Sequence, residues 1–236
     1  MRSFSSMRRA LAAALPHTLP IMAGFLFLGM TYGVHATASG LPPWIPVLTS
    51  LAVFAGSAEF VAVNLLLGAF NPIQALAMTL MINARHLFYG VSLLEKYKGT
   101  GLKKLYLIFG MCDESFSINC SARVPEGVDR GQFYFCVTLL DHLYWVTGVT
   151  LGSLFGAFVT FNTEGLDFVM TAMFTVILLE QLQKKQSRPA ALLGLGLSLI
   201  ALLAFGADRF LIPAMLAILA VLTLLRRPLE RGGDGT

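Results

Sequence analysis

Residues 45–68 read IPVLTSLAVFAGSAEFVAVNLLLG, 24 residues with a single charge, Glu59. A helix that crosses the hydrocarbon core of a bilayer needs roughly 20 apolar residues, so this stretch is long enough to span with some tilt. Its centre, Ala55-Gly56-Ser57-Ala58, is built of small residues that let another backbone or a solute approach closely. A carboxylate then follows at membrane depth, where a charge costs about 2.5–3.5 kcal/mol or more. The stretch therefore reads as a membrane segment and as a site at once.

Outward from it, seven further segments have similar character: about 16–36, 72–94, 104–121, 132–158, 166–183, 190–207 and 209–225. Turn-forming residues separate them, among them Gly40 with Pro42 and Pro43, Asn71-Pro72, Gly99 with Gly101, Pro125 with Gly127, and Ser187 to Pro189. The whole chain is 56% hydrophobic and 13% charged, about half the charge of a soluble domain, so much of its outer surface faces lipid. Arg2, Arg8 and Arg9 ahead of an apolar run resemble a signal peptide. No small-residue cleavage site follows, and Pro16, His17 and Pro20 interrupt its start. It reads as a retained first helix. The expectation is an all-α polytopic membrane protein in one membrane domain, 1–236, with polar tails at 1–10 and 228–236.

Lysines and arginines gather on the cytoplasmic side of short loops. If all eight segments span with the N-terminus inside, Arg2, Arg8, Arg9, Arg123, Arg130, Lys184, Lys185, Arg188, Arg226, Arg227 and Arg231 share its side. Lys96, Lys98, Lys103, Lys104 and Arg209 fall opposite. That balance puts both termini in the cytoplasm. The four lysines fit poorly, and a segment that enters and leaves on one face, 45–68 or 104–121, would move them. Short matches also hint at an inverted repeat of three helices, 16–94 and 104–183, plus two C-terminal helices. They are Phe27-Leu28-Gly29-Met30 with Ile108-Phe109-Gly110-Met111, Leu66 to Phe70 with Leu154 to Phe158, and Met78-Thr79 with Met170-Thr171.

The polar residues at membrane depth mark a transport path. Gly56, Ser57 and Glu59 sit where a broken helix would offer free N–H groups to an anion; simple helix packing is the alternative. Asn83, His86 and Gly90 share one helix face, while Arg85 and Tyr89 share another. Arg85 suits a carboxylate, either Glu59, Asp113 or an anionic solute, and His86 suits proton relay. Asp113 and Glu114 are adjacent, so they point in different directions and do not form an acid–base pair. Their segment, with Ser115, Ser117 and Asn119, is too polar to face lipid. Asp141, Trp145 and Gly148 share a face, on a buried site or at the wet end of a tilted helix. Glu180 with Lys184 and Asp208 with Arg209 read as surface pairs. Cys112, Cys120 and Cys136 lack metal or disulfide spacing. No P-loop, HExxH, GxSxG or dinucleotide fingerprint is present, so energy would come from an ion gradient or a partner, and no cofactor or metal is expected.

Phe54-Ala55-Gly56-Ser57-Ala58-Glu59-Phe60 and Ile82-Asn83-Ala84-Arg85-His86-Leu87-Phe88-Tyr89-Gly90 resemble motifs of the AzlC, or YgaZ, family of branched-chain amino acid exporters. Asp113-Glu114-Ser115-Phe116, the region Trp145 to Gly156 and Gly165-Leu166-Asp167-Phe168 continue the resemblance across about 16–183. It implies a bacterial inner-membrane permease exporting valine, leucine, isoleucine and methionine with a small hydrophobic subunit of the AzlD or YgaH type. The family pattern carries glutamine where this sequence has Glu59, which leaves the solute open and adds an ionisable group. A zwitterion with an apolar tail would set its carboxylate on Arg85 or on the helix starts near Gly56 and Ser57. Its ammonium would meet Glu59 or Asp113, with Phe54, Phe60 and Phe88 around the side chain. Rival readings are export of another amphiphilic or anionic metabolite, a membrane assembly subunit without transport of its own, and an intramembrane enzyme using Asp113, His86 and His142.

Overall fold

A computed structural model describes residues 2–69, 71–83, 85–158, 188–206 and 210–225, with isolated positions at 171, 175, 178–179 and 182–183. The described residues hold α-helices and no strand. They fall in two compact units, Met1–Glu164 and Gly165–Thr236. Most of segment 166–183, the motif Gly165–Phe168 and the pairs Glu180–Lys184 and Asp208–Arg209 lie outside the described residues.

Helix α1 (Arg2–Ala38) runs through Pro16 and Pro20. Between the two prolines the buried Thr18 hydroxyl bonds the Leu15 carbonyl, a local back-bond common for helical threonine. Ser6–Ala38 of α1 and Arg188–Phe205 in the second unit are long and apolar enough to cross a membrane. Large apolar side chains lie open on the outer faces, Phe27 at 69%, Leu87 at 74% and Phe158 at 84%. Such a surface suits lipid rather than water.

The frame of the first unit is α1 against α8 (Arg130–Phe158), its most extensive helix pair. Glycines bring the two backbones into contact. A Cβ on Gly148 would meet Leu26, one on Gly152 would meet Met30, and one on Gly156 would meet Val34. Residue numbers rise together at these contacts, so the helices run parallel.

Segment 45–68 is two helices, α2 (Trp44–Ala52) and α3 (Gly56–Leu67). Thr49 and Phe60 both touch Tyr32: its hydroxyl lies 2.7 Å from the Thr49 hydroxyl, and its ring centre lies 5.2 Å from that of Phe60. His35, a turn further along α1, also stacks on Phe60. A straight helix would separate Thr49 and Phe60 by about 16 Å along its axis; instead the chain turns back between α2 and α3.

Segment 72–94 gives α4 (Pro72–Asn83) and α5 (Arg85–Leu93). Segment 104–121 gives α6 (Lys103–Phe109) and α7 (Asp113–Ser121), which also double back. At the turn, Gly110 lies against Thr138. At the open end, Glu95, Lys96, Lys98, Lys103, Arg123 and Arg130 line one polar cavity of about 700 Å³. Lys96 caps the end of α7 through the carbonyls of Asn119 and Cys120. The start of α1 belongs to the same end, since the Ser6 hydroxyl bonds Gln132.

This corrects the division of charge expected from eight crossings. Lys96, Lys98 and Lys103 stand beside Arg123 and Arg130, because α6 and α7 leave by the end at which they enter. Two hairpins that return to their own ends leave α4 and α5 as the link between ends, and a single link is what a parallel α1–α8 pair requires.

The second unit contains α9 (Arg188–Phe205) and α10 (Leu211–Leu224), separated by Gly206 at φ 73° and packed together with Ala201 and Ala214 buried.

Candidate functional site

Both hairpins end inside the first unit, so α3 and α7 begin there rather than at a surface. The N–H groups at a helix start lack intrahelical partners and carry partial positive charge. Each tip closes in a similar way. The Ala55 N–H donates to Glu59 Oε1 at 3.0 Å, and the Cys112 N–H donates to the Ser115 hydroxyl at 2.9 Å. Phe54, at the first turn, has φ 46°, a left-handed conformation that costs a non-glycine residue about 1–2 kcal/mol and tends to persist at functional sites. Its ring packs on His142, with centres 4.4 Å apart.

Arg85, in α5, lies between the starts of α3 and α7. Its Nη1 is 2.7 Å from Asp113 Oδ2, and its Nη2 donates to the Ser57 hydroxyl at 3.2 Å. Of the carboxylates considered from sequence, Asp113 is thus its partner. The pair is about two-fifths exposed. Among the described residues, Arg85 Nε and Asp113 Oδ1 have no hydrogen-bond partner. Both atoms are buried, so the pair holds one unused donor and one unused acceptor inside the protein.

Glu59 is fully buried. Besides the Ala55 N–H, its Oε1 accepts from the Trp145 indole at 3.1 Å. The indole also covers Gly56, where a Cβ would meet it at 3.2 Å. Phe60 is wholly enclosed between Tyr32 and His35. These contacts make Gly56, Glu59 and Phe60 a sealed joint between α3, α1 and α8. Ser57 faces Arg85.

The expected face of Asn83, His86 and Gly90 exists. All three line a largely apolar cavity of about 520 Å³, with Leu94, Ile108 and Met111, within the range of small-molecule sites. His86 Nδ1 lies 3.2 Å from the Asn83 carbonyl. Tyr89 stacks on Phe116 of α7, with centres 4.2 Å apart. Of the phenylalanines expected around a solute, the side chain of Phe88 lies outside the described residues.

The structure thus joins Ser57, Arg85 and Asp113, with Tyr89 beside them, and sets Asn83 and His86 along the adjoining cavity. Two participants were missed. Trp145 was placed on a face with Asp141 but given no partner; no signal in sequence tied it to a residue 86 positions earlier. Of the two settings open for Asp141, a buried site or the wet end of a tilted helix, the structure gives the first, since it is fully buried. His142 next to it bonds the Tyr106 hydroxyl at 2.9 Å and the Ser50 carbonyl at 3.1 Å, so it is a structural link between hairpins.

A family model described as AzlC protein matches residues 20–159. The chain is 61% identical over 231 residues to the Branched-chain amino acid transport protein AzlC of Bacillus subtilis, covering 98% of this chain and 91% of that one. It is 46% identical over 222 residues to an uncharacterized membrane protein of Haemophilus influenzae, covering 94% and 91%. It is 28% identical over 188 residues to the Inner membrane protein YgaZ of Escherichia coli, covering 75% and 76%. No solved structure matches.

Proposed function

The chain belongs to the AzlC protein family, and from that premise we propose that this membrane transport protein exports the branched-chain amino acids valine, leucine and isoleucine across the bacterial inner membrane, with the unbranched methionine as a further candidate solute. The observation that carries the proposal is the 61% identity, over nearly the whole chain, to a relative named for branched-chain amino acid transport. The geometry supports it. A zwitterion with an apolar tail needs a cation or free N–H groups for its carboxylate and an apolar wall for its side chain. Arg85 between the starts of α3 and α7 supplies the first, and the cavity beside Asn83 and His86 supplies the second. Export runs on an ion gradient and in company with a small hydrophobic AzlD-type subunit. The basic end of the first unit, with Arg8, Arg9, Lys98 and Arg123, faces the cytoplasm, as cationic loops do.

Efflux from cells preloaded with labelled valine, leucine or isoleucine tests the reading. Expression together with the small hydrophobic subunit is expected to speed efflux, and either protein alone is not. Arg85→Ala, at equal membrane level, is expected to cut efflux at least about tenfold, equivalent to about 1.4 kcal/mol of lost interaction. No efflux of any of the three solutes, with both proteins in the membrane, would reject the assignment. Faster efflux of another amphiphilic or anionic solute would replace it.

A further inference from the structure

A second sequence relation becomes visible once the hairpins are seen. Arg85-His86-Leu87-Phe88-Tyr89 lies in α5, and Asp141-His142-Leu143-Tyr144-Trp145 lies in α8, each pair 56 positions apart. The same spacing links Glu59 with Ser115, the two residues that close the hairpin tips, and Phe60 with Phe116. Each relation compares one hairpin and its following long segment with the next hairpin and its following helix. The two hairpins open at opposite ends, and the two segments run in opposite directions. This is the pattern of an inverted repeat, whose working residues gather where the halves meet.

In that pairing Asp141 takes the place of Arg85. Each sets a charged side chain near the start of the helix in its own hairpin. Arg85 bonds Ser57 of α3. Asp141 lies in the neighbourhood of Glu114 and Cys112, at the start of α7. Arg85 has Asp113 as a partner. Asp141 is 0% exposed, and among the described residues neither of its carboxyl oxygens has a hydrogen-bond partner. The Thr138 hydroxyl, one turn earlier on the same helix face, is equally buried and also without a partner among the described residues.

Arg85 and Lys96 are committed elsewhere, to Asp113 and to the end of α7. The other titratable groups facing Asp141, Glu114 and the Cys112 thiol, carry no positive charge. A buried carboxylate without donor or cation is costly, and it is lipid-depth carboxylates of this kind that form proton relays in pumps and transporters. A hard metal ion needs several oxygen ligands at short range, and no group of metal-binding side chains is gathered among the described residues. A proton needs no further ligand. The large apolar cavity is lined by other residues, so an amino acid's ammonium group is the poorer occupant.

We propose that Asp141 takes up and gives back the proton coupled to transport. The inference rests on the transport reading above. Uptake converts the carboxylate to the neutral acid with one new O–H bond, and release to water on the other side reverses it; nothing is oxidised or reduced. Half-buried Glu114 is the nearest group that can pass the proton on. For an exporter, the proton enters as the solute leaves.

The test uses the chain with its small hydrophobic subunit in lipid vesicles, labelled leucine, and an imposed pH gradient. Wild type is expected to move leucine faster under the gradient. Asp141→Asn is expected to lose that acceleration and to keep leucine–leucine exchange, and Asp141→Glu is expected to retain it. An Asp141→Asn variant that still responds to the gradient overturns the proposal. So does one that loses exchange as well while remaining folded, or a wild type driven by an imposed sodium gradient instead. Infrared difference spectra across a pH step read the carboxyl band without any solute. If wild type moves no leucine but shows a protonated-carboxyl band absent from Asp141→Asn, the solute assignment fails and the proton site stands. No band lost in that variant overturns the proton site.

Discussion

At the scale of the residue, Glu59 separates what sequence can reveal from what it cannot. A carboxylate amid small residues at membrane depth was legible as special, because nothing in helix packing demands one. Its task was not legible, since the Trp145 indole and the Ala55 N–H that it accepts from are set by the fold. Those bonds need an acceptor oxygen, which a glutamine side chain also offers. Glu59→Gln is therefore expected to keep the protein folded and to leave leucine efflux within a factor of about two, since both accepting bonds survive. Glu59→Ala leaves two buried donors unpaired, at about 1–3 kcal/mol each, and is expected to lower the unfolding temperature in detergent. Thermal unfolding of both variants, followed by tryptophan fluorescence and paired with efflux, checks this. Loss of efflux in a stable Glu59→Gln protein would show that the charge itself matters.

At the scale of the element, the long apolar segments were readable and their interruptions only partly so. The break before Gly56 was anticipated from Gly56-Ser57, and it falls at residues 53–55 with Phe54 as the left-handed residue. That 104–121 could enter and leave on one face was open from the lysines, but the position of its turn, Gly110 to Cys112, was not legible, because Met111 and Cys112 are ordinary helix residues. The tertiary contact of Gly110 on Thr138 sets it. The glycines of α1 and α8 show a different limit. Gly29 and Gly33, or Gly148, Gly152 and Gly156, recur every four residues as small-xxx-small interfaces do, yet the sequence does not say which helix they meet. At Gly29 a Cβ would lie 2.9 Å from the Trp145 carbonyl oxygen, and at Gly148 it would lie 2.6 Å from that of Leu26. These neighbours are backbone atoms that cannot turn away. Gly33→Ala and Gly152→Ala are thus expected to cost about 1–3 kcal/mol each by overpacking, read as reduced thermal stability. Gly24→Ala, on the same helix with nothing within 4 Å, is expected to be neutral or slightly stabilising. Equal behaviour of Gly24→Ala and Gly152→Ala would contradict the parallel contact.

At the scale of the whole molecule, the all-helical membrane class followed from composition, while the path of the chain did not. Hydropathy counts apolar residues and cannot distinguish a segment that crosses from one that enters and returns. The poor fit of four lysines was the one trace of the difference. In the structure Lys96, Lys98 and Lys103 join Arg123 and Arg130 around one cavity, and the start of α1 with Arg8 and Arg9 reaches the same end through Ser6 and Gln132. The loop between α1 and α2, residues 39–43, carries no lysine or arginine. The first unit thereby follows the positive-inside rule far better with two returning hairpins than with every segment crossing. The two paths differ at measurable positions. With Cys112, Cys120 and Cys136 replaced by serine, single cysteines at Gly40, Lys98 and Glu126 can be tested with a membrane-impermeant thiol reagent in whole cells and in inverted vesicles. Returning hairpins place Lys98→Cys and Glu126→Cys on the same side, labelled in inverted vesicles alone, with Gly40→Cys labelled in whole cells. If 104–121 crosses instead, Lys98→Cys and Glu126→Cys are labelled from opposite sides. In that case α7 starts at a membrane surface, Arg85 no longer stands between two buried helix starts, and the carboxylate site loses its basis.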